Sequence, residues 1–126
     1  MVDIKKINNK KIFIQYVKTY SKLLIPEYQV FIKFKKLDSN IRAQCQIGEI
    51  SRCLNIEGNT VWLNKKLDEK QIERTAFHEI MECVLSELSL PLEEMYSTNF
   101  VDERVHIIIR KLENVLFQNS QVYEMK

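Results

Sequence analysis

Glycine is nearly absent: the 126 residues contain two, Gly48 and Gly58, ten positions apart. Loops that cradle phosphate need several closely spaced glycines to bring backbone N–H groups against the anion. Walker-type and dinucleotide-binding turns are therefore excluded. Proline is as scarce, at two, and there is one tryptophan. Long apolar runs are missing too. Leu23-Leu24-Ile25 and Ile107-Ile108-Ile109 are among the longest, far short of the roughly 20 residues needed to cross a bilayer. The first fifteen residues, MVDIKKINNKKIFIQ, are basic but hold no apolar core and no small-residue cleavage site, which argues against secretion. Three cysteines, an odd number without paired spacing, suit a reducing compartment, so a cytoplasmic location is expected.

The composition that remains, 45% hydrophobic and 29% charged, is that of a folded globular chain, and the length suits one domain over residues 1–126. The net charge of +2 conceals an asymmetry. Residues 1–66 carry 13 Lys and Arg against 5 Asp and Glu, and residues 67–126 carry 6 against 12. Basic clusters such as Lys5-Lys6, Lys10-Lys11 and Lys33 to Lys36 read as solvated surface, with attraction for an acidic partner such as nucleic acid as the alternative. The acidic half holds both histidines, His78 and His106.

Periodicity orders the elements. Ile12, Phe13, Tyr16, Val17, Tyr20, Leu23 and Leu24 recur at helical spacing within residues 7–25, and Pro26 ends that helix. Tyr28, Val30, Ile32 and Phe34 alternate with polar residues as in a half-buried strand, and a second strand covers residues 41–47. Residues 50–56 extend it or begin a third. Glu57-Gly58-Asn59 reads as a hairpin-type turn into a β-branched and aromatic run, Thr60 to Leu63. Asp68, with Gln71 three positions on, predicts a capped helix over about 69–88, with Pro91 beyond its end. Val101, Val105, Ile108, Ile109, Leu112 and Leu116 predict a last helix over about 101–117. A helix, a sheet of about three strands and two further helices make an α+β fold.

The chemistry concentrates in Thr75-Ala76-Phe77-His78-Glu79-Ile80-Met81-Glu82-Cys83. His78 and Glu82 are four apart, so their side chains leave one helical face a turn apart and can share a metal ion. Glu79 stands beside the first ligand, where a general base would take a proton from water activated by the metal. This is the HExxH layout of zinc peptidases with Glu82 in place of the second histidine. Catalytic zinc usually takes three protein ligands, and His106 in the next helix is the remaining imidazole. Glu113, two turns after His106, reads equally as a carboxylate orienting a ligand imidazole or as a solvated helix residue. Cys83 reads as helix packing, with a soft ligand as the alternative, and Cys45 and Cys53 read as buried thiols. No spacing rule selects an oxyanion stabiliser, though Tyr96 and Arg104 are candidates.

Residues 75–90, TAFHEIMECVLSELSL, and residues 105–116, VHIIIRKLENVL, resemble a group of small phage and prophage zincin-like proteins. In these, HEIxEA is followed by leucines and then by H-x-x-I-x-x-LE-x-x-L, matched here by His106, Ile109, Leu112, Glu113 and Leu116. NTVWLN at residues 59–64 is similar to the strand before the metal helix in minimal zincins, including ImmA/IrrE-like and SprT-like peptidases. The resemblance covers roughly residues 41–117. It implies a minimal zincin-like domain, Zn²⁺ on His78, Glu82 and His106, and Glu79 as base. It also implies an edge strand at Val61, Trp62 and Leu63 that offers backbone groups to an extended peptide. The expected activity is zinc-dependent hydrolysis of peptide bonds, in the cytoplasm of the host cell, on a peptide or protein substrate. The competing readings are a non-catalytic zinc-containing phage protein that binds a host protein, and a nucleic-acid-binding accessory protein using the basic half.

Overall fold

The computed structural model describes residues 4–48 and 50–117, and the side chains from residue 9 onward. Lys5, Lys6 and the end of the chain beyond Phe117 lie outside the described side chains. Helix α1 spans Ile4–Leu24 and buries a stripe at four-residue spacing, Asn9, Phe13, Val17 and Ser21, with Ile25 just past its end. Leu23 was expected in that stripe but is 71% exposed, because the buried face advances by four residues per turn and leaves position 23 outside it.

Three strands follow: β1 Gln29–Lys35, β2 Ala43–Gly48 and β3 Cys53–Asn59. The sheet order is β1-β3-β2, so the last strand made lies in the middle. Strand β3 runs parallel to β1, from Gln29 opposite Cys53 to Lys35 opposite Asn59, and antiparallel to β2, from Ala43 opposite Gly58 to Gly48 opposite Cys53. Arg52, with φ of 52°, makes the tight return from β2 to β3. Leu54 and Ile56 of β3 are fully buried on the helix-covered face. Gln44, Gln46, Asn55, Lys33 and Lys35 mark the open face.

Two local expectations fail here for physical reasons. Gly58 is not a turn residue; it belongs to β3, where an added Cβ would stand 3.0 Å from the Phe34 ring and 3.2 Å from Leu63. Its service is close approach of side chains from both neighbours. Val61, Trp62 and Leu63 are not an edge strand. Thr60–Leu63 is a one-turn helix, α2, capped by Asn59, whose side chain accepts the Val61 N–H at 3.0 Å. Burial of Trp62 and Leu63 outweighs the β preference of the run.

Asn59 does more than cap. It is fully buried, its amide donates to the carbonyls of Ile41 at 2.6 Å and Asp38 at 3.1 Å, and its oxygen also accepts the Leu37 N–H at 3.2 Å. One side chain thus holds the β1–β2 connection and starts α2.

Helix α3, Glu69–Leu92, begins at Asp68, whose N–H donates to the Gln71 side chain at 3.1 Å. It runs four residues beyond expectation. Pro91 lies inside its last turn, where it offers no N–H to the Glu87 carbonyl, and Glu93 still bonds back to the Ser89 carbonyl. Helix α4, Thr98–Leu116, is capped by Ser97, which accepts the Phe100 N–H at 3.2 Å. Tyr16 and Tyr20 tie α1 to α3 by donating to Glu69 and Glu73, at 3.0 and 2.6 Å. Phe77 and Met81 pack on Ile109, Val105 and Phe117, which seats α4 against α3. Among the described residues, no helix is long and apolar enough to cross a membrane.

Candidate metal centre

The α3–α4 contact assembles the polar groups in order. Glu82 meets His106, His78 meets Glu113, and Arg74 meets Asn114. Partners that step in opposite directions along the two helices identify an antiparallel pair. Arg74, His78 and Glu82 are each four residues apart, so one face of α3 supplies all three.

Ligand atoms of His78, Glu82 and His106 lie within 4.8 Å of one another. The imidazole rings are 5.4 Å apart between centroids. His106 Nδ1 is 2.8 Å from the carbonyl oxygen of Asp102, an acceptor only, so Nδ1 carries the proton. Its other nitrogen, Nε2, faces Glu82 Oε1 at 3.0 Å. A neutral imidazole in this tautomer sets a lone pair against a carboxylate, an arrangement that calls for a cation between them, either a proton or a metal ion. His78 is fixed in the same manner: Nδ1 is 2.7 Å from Glu113 Oε2, which leaves Nε2 for the cluster. These residues could hold a metal ion.

Glu113 is buried, and its other oxygen accepts from Arg74 Nε at 2.6 Å. Burial raises its pKa, but the bonds from His78 and Arg74 prevail and hold it below the usual value. The bond to Glu113 in turn raises His78. Glu113 is thus not a solvated helix carboxylate: it bonds the His78 imidazole, and not the His106 on its own helix. Arg74 was not anticipated, although its four-residue offset from His78 was a readable signal.

Glu79 points from α3 toward β2. It is buried, and its Oε2 has no hydrogen-bond partner among the described residues. Burial first, and the Glu82 charge second, push its pKa up to about 8. Cys45 of β2 faces the same carboxylates: its Sγ is 3.5 Å from Glu82 Oε2. Cys45, Glu79 and Glu82 form a second group of donors that shares Glu82 with the first. Burial and the two carboxylates raise the thiol pKa. An orphaned, buried carboxylate oxygen beside a His–Glu–His set fits a divalent cation, which supplies the positive charge that these acids otherwise lack.

Glu79 and His78 both bind protons more tightly folded than unfolded, and the sign for stability follows. The Glu79 contribution is complete below its usual value of 4.5 and is lost as pH rises to about 8. The His78 contribution is complete below 6.5 and is lost as pH rises through its elevated folded value. The metal-free chain should therefore unfold at lower urea concentration at pH 8 than at pH 5.5. A midpoint that rises with pH over this window would contradict the assignment.

The other candidates lie elsewhere. Cys83 is buried in the main core, outside both donor groups. Tyr96 and Arg104 line an apolar hollow between the end of α3 and α4, and Arg104 lies 5.1 Å above the Phe100 ring. Val61, Trp62 and Leu63 line neither of the two cavities that border the cluster. No family model, curated protein or solved structure matches this chain.

Proposed function

We propose that the chain is a zinc-dependent hydrolase of peptide bonds. The observation that carries this reading is the convergence of two imidazoles and one carboxylate, each imidazole anchored through Nδ1 with Nε2 left for a metal, beside a buried carboxylate with a free oxygen. Two imidazoles and a carboxylate are a common ligand set for catalytic zinc. When bound, zinc would supply Lewis acidity to the scissile carbonyl and to water.

The chain's own groups have the remaining work. Glu113 and the Asp102 carbonyl hold the imidazoles in one tautomer. Glu79 accepts a proton from the attacking water and delivers it to the amine nitrogen as the C–N bond breaks, leaving a carboxylate and an amine. The expected substrate strand at residues 61–63 has a replacement in β2. It is an edge strand, its outer side unpaired among the described residues. Ala43 lines one cavity beside the ligands, and Cys45 and Ile47 line the other. An extended peptide added to β2 would run past His78, Glu79 and Glu82.

Elemental analysis tests the metal assignment. The purified chain should hold about one zinc per molecule, with His78→Ala and His106→Ala each losing it. Glu113→Gln should keep the site but bind zinc about 10–100-fold more weakly, the usual cost of removing a carboxylate behind a ligand histidine. Full retention in a histidine variant would strike that residue from the set. Zinc-loaded protein that cleaves no peptide in a diverse library would overturn the hydrolase reading.

A further inference from the structure

Two cavities border the ligand set along β2, and they differ in charge. The one beside Ala43, His78 and Glu79, about 270 Å³, is lined by Arg42 and Arg74. The one beside Ile47 and Glu82, about 300 Å³, is lined by Glu93 and Asp102. Arg74 is occupied by Glu113 and Asn114, at 2.6 and 3.2 Å. Arg42 forms no ion pair with any described carboxylate; its guanidinium carbon instead lies 5.3 Å from the centroid of the Trp62 ring, which is itself buried. The backbone beneath it is equally fixed, because the Arg42 carbonyl accepts the Asn59 N–H at 2.9 Å and the neighbouring Ile41 carbonyl accepts the Asn59 amide. An exposed guanidinium held over an aromatic plane on a clamped backbone has already lost much of the freedom that binding an anion would remove.

We infer that Arg42 determines specificity by binding a carboxylate of the substrate on the Ala43 side of the metal ligands. This rests on the hydrolase reading for its substrate but not for its chemistry. The planar fork of arginine matches the two oxygens of a carboxylate. The pocket's other carboxylates do not compete for it: Glu113 is bound by Arg74 and His78, and Glu79 faces Cys45 and Glu82. At the opposite end Glu93 and Asp102 repel the same group, so the cleft has a sense, with negative substrate charge toward Ala43 and neutral or positive charge toward Ile47. The carboxylate can come from an Asp or Glu side chain or from a peptide C-terminus.

Three fluorescent peptide sets separate these sources: amidated peptides with one Asp scanned through otherwise neutral residues, the same peptides with Asn, and neutral peptides with a free C-terminus. With zinc-loaded wild type, kcat/KM should favour one carboxylate source over its neutral counterpart by on the order of tenfold or more. Arg42→Gln should erase the preference and Arg42→Glu should reverse it, with hydrolysis of the amidated Asn peptides unchanged. Anisotropy with zinc-loaded Glu79→Gln reads the same preference without turnover. Hydrolysis with equal rates for Asp, Asn and free-carboxylate peptides overturns the role of Arg42 and keeps the hydrolase. A carboxylate preference in binding that depends on Arg42, with no hydrolysis by wild type, keeps Arg42 and overturns the hydrolase. Absence of both overturns both.

Discussion

Glu79→Gln will retain zinc and peptide binding while peptide hydrolysis falls by on the order of 10²–10⁴, the share of a positioned acid–base group. The substitution keeps the size of the side chain and leaves His78, Glu82 and His106 untouched. An amide can neither take the proton from water nor return it to the leaving amine. A ligand variant is less informative, because losing metal also removes whatever the metal contributes to folding. The burial of Glu79 sharpens the contrast: its Oε2 has no partner among the described residues, so a neutral amide of the same size breaks no hydrogen bond at that oxygen. Equal rates for Glu79→Gln and wild type, at equal zinc content, would show that the proton is carried by another group.

The second large effect falls on stability. Asn59→Ala should lower the unfolding free energy by about 3 kcal/mol, since it strands several buried backbone groups at once and each such loss is worth roughly 1–3 kcal/mol. The Leu37 and Val61 N–H groups lose their shared acceptor, and the carbonyls of Asp38 and Ile41 lose their donor. Denaturant unfolding monitored by the fluorescence of Trp62 reports it, because Trp62 sits in the helix that Asn59 caps. A loss under about 0.5 kcal/mol, the ordinary range for surface substitutions, would mean that water substitutes for the amide.

The parts of this fold that repeat within a few residues were legible in the sequence. The periods of α1 and α4, the capping signal of α3 and the alternation of β1 each lie within one element, as does the four-residue step from His78 to Glu82. The arrival of His106 followed by elimination, since the chain has no third histidine. The failures share one cause: each depended on a partner distant in sequence. Thr60 to Leu63 carries a strand's residue types, and only its burial and the hold of Asn59 make it a helix. Gly58 resembles a turn residue until Phe34 and Leu63 close on it. Cys45 reads as a buried thiol, and nothing nearby in sequence announces that its Sγ lies 3.5 Å from Glu82. Arg42 is invisible for the same reason, as its platform lies 20 residues on at Trp62.

The central place of β3 has a consequence for how the chain comes to order. Strands β2 and β3 meet across a short return, whereas β1 must wait for a partner 24 positions later, from Gln29 to Cys53. Closing the longer loop costs more entropy, so the hairpin is the cheaper nucleus and β1 docks onto it afterward. During synthesis β1 therefore leaves the ribosome with both edges bare. Phe31, still about half exposed in the finished sheet, is then unshielded on a strand without neighbours, and the lysines at 33 and 35 beside it discourage a second nascent chain from pairing there. His78, Glu82 and His106 are all translated after the three strands, so a metal ion held by them would act on the helix pair that is last to dock.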